Sequence, residues 1–205
     1  MNFDMTLIEW LKYHHEKVVF DKVSWMGVPI HKNVLDAWIY QELIFRIKPD
    51  VIVEIGSENG GSTLYFAHLL DCIGGGGCVI SIDVDRRPYK VKHERIIKIT
   101  GHSSAERVIR KVSELCKDKI VLINQDGGHG EDQVYRDLVD YCGLVSVGSY
   151  YIVEDTLLYP YAGLKEGPLM AINKFLETNP GFVIDLECER YILTANPSGY
   201  LKRIL

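Results

Sequence analysis

Apolar positions along the 205-residue chain follow two rhythms, and these predict its elements. Short, nearly continuous apolar runs recur at Val51–Ile55, Cys78–Asp83, Ile96–Thr100, Lys119–Asn124 and Ser149–Val153. Runs of that length and β-branched content predict strands covered on both faces, as in a parallel sheet. Between them the apolar residues move to helical spacing. That spacing predicts helices at Thr6–Tyr13, Asp36–Ile47 (stopped by Pro49), Ser62–Leu70, Ser104–Lys117 and Glu131–Tyr141, and a last one from Gly167-Pro168 to Leu176. Phe182–Glu189 and Tyr200–Ile204 predict a closing pair of strands joined through Asn-Pro-Ser-Gly. The alternation predicts an α/β fold: a Rossmann-like, seven-stranded, mostly parallel sheet with helices on both faces and an antiparallel C-terminal strand. A single domain over residues 1–205 is expected, with residues 1–48 forming a helical and flap segment in front of the sheet.

The first central strand leads into Glu54-Ile-Gly56-Ser-Glu-Asn-Gly60-Gly61-Ser62. Glycines let the backbone turn sharply and approach a ligand, and the following helix N-terminus completes a nucleotide-type corner. A dinucleotide fingerprint reads G-x-G-x-x-G and receives a pyrophosphate. Here the spacing is Gly56-x-x-x-Gly60-Gly61, with an acid two residues before the first glycine. A carboxylate there repels pyrophosphate and suits a cation such as an amino-acid ammonium. The pattern resembles motif I of the class I S-adenosylmethionine (SAM) methyltransferases; the plainer alternative is an ordinary βα turn. Asp83 ends the next strand 27 residues after Gly56, where an acid can accept the ribose hydroxyls. Its alternative is a solvated charge in the Asp83-Val-Asp85-Arg-Arg loop. Gly74–Gly77 reads as a turn, because no Lys-Ser/Thr follows as in a phosphate loop.

Two later strand ends carry acids as well: Asp126 after one, Glu154-Asp155 after the next. Carboxyl ends of neighbouring strands face one crevice. Acids converging there repel one another unless a divalent cation sits among them, and hard oxygen ligands suit magnesium, manganese or calcium. Three solvated loop acids are the bland alternative. His129 follows Asp126 by three residues, and an imidazole there could take a proton from a substrate hydroxyl.

Composition narrows the field. Hydrophobic residues are 47%, charged residues 25% and the net charge is −5, which describes a folded globular chain with no polyanion partner such as nucleic acid. Five cysteines without a C-x-x-C pair argue for structural thiols in a reducing compartment. No apolar run reaches the length of a membrane span and no leader pattern is visible, so a cytoplasmic protein is expected.

Trp25-x-Gly27-x-Pro29-Ile, Lys32, Asp36, Tyr40-Gln-Glu42, Lys48-Pro-Asp50, the Glu54–Ser62 loop, Val153-Glu-Asp-Thr156 and Pro197-x-Gly199-Tyr-Leu-x-Arg203 together resemble the cephalosporin hydroxylase/7-O-methyltransferase family, which groups antibiotic-tailoring enzymes with rhamnosyl O-methyltransferases. The resemblance implies SAM as methyl donor and Mg2+ or another divalent cation held by Asp126, Glu154 and Asp155. Glu54, Gly56, Gly60, Ser62, Asp83, Ser103 and Asp126 are the expected cofactor contacts, and His129 the expected base. His102 stands where related sequences tend to carry an acid. The expected reaction is O-methylation of a hydroxyl on a sugar or polyhydroxylated natural product, with Tyr159, Tyr161 or the Trp25 loop stacking on the acceptor. Homo-oligomerisation stays open. Two rivals are a catalytically inactive SAM-fold binding subunit and a non-haem iron hydroxylase using His129-Gly-Glu131; the latter lacks a distal ligand, since no histidine follows residue 129.

Overall fold

A computed structural model describes residues 4–157 and 167–205. Helix α1 (Leu7–His14) opens on Thr6, whose side chain and that of Glu9 cap each other's backbone N–H groups. It continues through a π turn at His15–Val19 and a short turn at Phe20–Lys22. A small hairpin follows, β1 (Ser24–Trp25) against β2 (Val28–Pro29). Helix α2 (Val34–Ile47) ends at Lys48, which adopts the left-handed conformation just before Pro49.

The sheet then alternates with helices: β3 (Val51–Ile55), α3 (Gly61–Ile73), β4 (Cys78–Asp83), β5 (Ile96–Thr100), α4 (Glu106–Cys116), β6 (Val121–Gln125), α5 (Glu131–Tyr141), β7 (Tyr150–Val153), α6 (Pro168–Thr178), β8 (Phe182–Ile184) and β9 (Tyr200–Arg203). Strand order is β5-β4-β3-β6-β7-β9-β8. The first five strands pair in parallel, and β9 runs antiparallel between β7 and β8. The expected fold class is the observed one. Boundaries agree to within a few residues, with one difference in kind. The run Phe182–Glu189 is strand only to Ile184, because the Asp185 carboxylate accepts the Glu187 N–H and starts a 3-10 turn over Leu186–Glu189.

Alternation along the central strands sorts the core into two layers. Val51, Val53, Ile55, Val121, Ile123 and Val153 join one layer with α4, α5 and α6. Ile52, Leu122 and Ile152 join the other, under Ile39 and Leu43 of α2 and Phe66 and Leu70 of α3. The same period carries Glu54, Asn124 and Glu154 onto the second face. That face is the one covered by the N-terminal helices and hairpin, and this decides what those polar groups meet.

Candidate active site

The carboxyl ends of β3, β4, β6 and β7 border a cavity of about 390 Å³, a volume suited to a small ligand. Leu11, His14 and Phe20 line it from the N-terminal side.

At the β3 corner, Gly56 (φ +85°) and Gly60 (φ +87°) take the left-handed backbone that glycine alone adopts freely. A Cβ on Gly56 would lie 2.2 Å from the Asp126 carbonyl oxygen, and one on Gly61 2.1 Å from that of Pro29. The loop is therefore wedged between the β6 corner and the hairpin. Glu54 is fully buried behind it and accepts the Thr63 hydroxyl. Its other oxygen, Oε1, has no hydrogen-bond partner. Burial pushes its pKa up to about 7 against the nearby Ser62 and Thr63 hydroxyls and Lys32. An acid so placed fits a cationic ligand group, although Glu54 itself is not on the cavity wall; Gly56, Ser57, Ser62 and Asp83 are.

Asp83 is held by its own neighbourhood. One oxygen accepts the N–H groups of Ser57 and Glu58 (both 2.9 Å) and the other that of Asp85 (2.9 Å). Burial would raise its pKa, but these three donors outweigh it and hold the carboxyl below its ordinary value. Arg86, which the sequence left open as a solvated charge, bonds Ser57 and Ser81 and the Ile99 carbonyl, whereas Arg87 is exposed and pairs with Asp85.

The β6–β7 corners are different. Asp126, His129 and Asp155 bring their ligand atoms within 4.8 Å of one another. Two oxygens bound to one Mg2+ or Ca2+ at about 2.1–2.4 Å lie no more than about 4–5 Å apart, so the cluster matches a divalent cation. His129 Nε2 stands 3.3 Å from Asp155 Oδ2, and its Nδ1 is buried without a partner. Asp155 itself adopts the left-handed region (φ +57°), uncommon for a non-glycine, with its N–H on Asn196 Oδ1 at 3.0 Å.

Glu154, expected to share this cation, lines the same cavity but lies outside that three-residue cluster, its carboxylate turned to Lys32. Its Oε1 receives Asn124 Nδ2 at 2.7 Å and the Lys32 ammonium at 2.6 Å. Lys32, 3% exposed, also donates to Asp126 Oδ2. Burial would lower the Lys32 pKa, but the two carboxylates win and raise it. Burial raises Asp126, Glu154 (to about 7) and Asp155, with mutual repulsion adding to it and Lys32 or His129 opposing it.

Ser103 lies off the cavity wall: its hydroxyl accepts Gln133 Nε2 (3.1 Å) and its carbonyl the Tyr141 hydroxyl (2.6 Å). Gly60 turns its α-carbon toward the Tyr89 ring. Trp25 donates to His68 Nδ1 (3.0 Å) and packs edge-on against Tyr65; Pro29, not Trp25, lines the cavity. Tyr159 and Tyr161 fall outside the described residues. The buried cation that sequence reasoning passed over is Lys32, read only as part of a motif. The available signal was charge balance, because buried carboxylates at neighbouring strand ends require a nearby cation.

The model of the rhamnosyl O-methyltransferase/CmcI family matches residues 17–204. The chain belongs to that family. Relatives include the rhamnosyl O-methyltransferase of Mycobacterium leprae, 30% identical over 181 residues (84% of this chain, 79% of the relative). That of Mycobacterium bovis is 27% identical over 210 residues, covering 98% of this chain and 86% of its own. Among solved structures, CmcI described as Mg-SAM superposes with a TM-score of 0.72 at 22% identity, covering 100% of this chain and 87% of that one. At that identity the likeness concerns the fold, and it agrees with the sheet described above. Among the described residues no helix is long and apolar enough to cross a membrane.

Proposed function

We propose that this family member transfers a methyl group from SAM to a hydroxyl of a sugar or polyhydroxylated natural product, assisted by a divalent cation. The observation that carries the reading is the convergence of Asp126, His129 and Asp155 on the cavity beside the glycine corner. The rhamnosyl O-methyltransferase relatives support a sugar-type acceptor.

Bound SAM supplies a methyl group made electrophilic by its sulfonium, and the cation supplies a Lewis acid that lowers the pKa of a ligated hydroxyl. The protein's part is placement and proton handling. The Gly56–Ser62 turn lets backbone approach the cofactor, with the buried Glu54 charge behind it and Asp83 at the ribose end. Asp126 and Asp155 would hold the cation, with Glu154 next to them under Lys32. His129 Nε2 stands 3.3 Å from Asp155; with the Asp155 carboxylate engaged by the cation, that nitrogen would be free to take the acceptor hydroxyl's proton as the new bond forms. Fixing donor and acceptor in one cavity removes much of the entropic barrier.

The test is transfer of isotope-labelled methyl from SAM to rhamnosyl and other polyhydroxylated acceptors, read by mass spectrometry, with and without EDTA. His129→Ala should lower kcat by about 10²–10⁴-fold while SAM affinity stays intact. Wild-type turnover in that variant would exclude His129 as base, and turnover indifferent to EDTA would remove the cation.

A further inference from the structure

We infer that Lys32 is a built-in cation that competes with the divalent ion for Asp126, so that metal loading exchanges one cation for another at that carboxylate. This rests on the cation-assisted reading above and goes beyond it by naming the residue that sets metal affinity.

Three observations carry it. The Lys32 side chain is 3% exposed, so its ammonium is not a surface charge that happens to fold inward. Its contacts are both carboxylates: Asp126 Oδ2 and, at 2.6 Å, Glu154 Oε1. Each of those acids ends a strand of the same crevice, and Asp126 also belongs to the cluster with His129 and Asp155. Glu54, Asp126, Glu154 and Asp155 bring four carboxylates to this region, against one fully buried ammonium. An ion held by Asp126 and Asp155 shares Asp126 with Lys32. A divalent charge and an ammonium on one carboxylate repel each other, so the ion weakens the Lys32 contact and Lys32 weakens the ion's.

Lys32 reaches this place because it follows β2 directly. The Pro29 carbonyl of that strand lies where a Cβ on Gly61 would be, 2.1 Å away, which fixes the segment against the cofactor corner. The lysine is therefore a positioning residue: it keeps the acids apart and partly neutralised when no metal is present, and it limits how tightly one binds.

The test uses the whole chain and Mg2+ alone. Calorimetry on Lys32→Met should show Mg2+ affinity at least about tenfold above wild type. The variant's melting temperature without metal should fall, and Mg2+ should raise it by more than in wild type. Lys32→Arg, which keeps the charge, should bind Mg2+ much as wild type does. If Lys32→Met folds too poorly to measure, NMR of 15N-lysine-labelled wild type decides: the Lys32 ammonium signal, identified by its loss in Lys32→Arg, should shift on Mg2+ saturation. Equal Mg2+ affinity in wild type and Lys32→Met, or an ammonium signal unmoved at saturation, overturns the exchange while leaving the cation reading intact. Absence of Mg2+ binding in both proteins removes the cation reading and this inference with it.

Discussion

Asp83 and Asp126 stand at equivalent places, each at the carboxyl end of a parallel strand, yet the fold treats their charges in opposite ways. Asp83 is surrounded by three backbone N–H donors from its own and the adjacent turn, and its pKa is held down. Asp126 is half-buried beside Asp155, meets one long-range lysine, and its pKa is pushed up. In one corner the charge contributes to the fold. In the other, burial and a neighbouring acid oppose the charge, and a lysine from a distant segment offsets them. The difference is one of supply: a turn provides donors locally, whereas the β6–β7 ends receive their cation from a residue 94 positions away.

The contrast breaks most directly at Asp126. Asp126→Asn should cost several kcal/mol of transition-state stabilisation, roughly a thousandfold in kcat, by removing a cation ligand. Its stability in urea should change little, because losing a charge that burial opposes is offset by leaving the Lys32 ammonium on Glu154 alone. A large stability loss would show that Asp126 is structural, as Asp83 is, and would erase the contrast.

Asp36 sharpens the comparison through pH. It accepts the Thr194 and Tyr200 hydroxyls and the Ala195 N–H, and still burial carries its pKa from 3.8 up to about 6. Between those values the folded state holds more protons than the unfolded one, so stability falls as pH rises through about 4 to 6. The loss amounts to about 3 kcal/mol for this group, as an order of magnitude. Asp36→Asn should flatten that part of the stability–pH curve, and an unchanged slope would reject the assignment. Three good donors are thus not enough when burial is nearly complete; Asp83 succeeds because it is also partly exposed.

Asp83→Asn should act in the opposite direction. Losing the charge on an acceptor of three N–H groups should cost about 1–2 kcal/mol, reduced from the buried value by its solvent exposure. Because its folded pKa is depressed, the charge contributes stability above the unfolded pKa and loses it as pH falls through the folded one. Denaturant melts across acidic pH check this, and a variant as stable as wild type at neutral pH would sink it.

These corners also explain which parts of the site were legible. The glycine turn, Asp83 and the strand ends follow from local pattern: Gly56 and Gly60 need positive φ, and Asp126, Glu154 and Asp155 each follow an apolar run. The mostly parallel pairing with a closing antiparallel pair followed from the βα alternation, whereas the strand order was not read from the sequence. What did not follow was orientation. Glu154 and Asp155 are adjacent in sequence, so the pleat sends them to different surroundings, one under Lys32 and one toward His129. Nor did the sequence show that Ser103 is turned toward Gln133 and Tyr141, a matter of how α5 lies against its loop. Such partners are set by packing between distant segments, which periodicity does not encode.

The smallest effect concerns the clamp that joins the two corners. Trp25 donates its indole N–H to His68 Nδ1 on α3, and its ring packs on Tyr65 of the same helix. An indole is a donor only, so His68 Nδ1 serves as acceptor. The hairpin that Trp25 anchors leads directly to Lys32, so helix α3 from the glycine corner indirectly places the cation of the acid corner. Trp25→Phe keeps an aromatic ring and removes the N–H, at a cost of about 1 kcal/mol in a denaturant melt. If the hydrogen bond sets the reach of Lys32, Mg2+ affinity should rise slightly in this variant, in the same direction as in Lys32→Met. Destabilisation with Mg2+ affinity unchanged would confine Trp25 to holding the hairpin, and the two corners would then be coupled only through the Gly56 loop packed against Asp126.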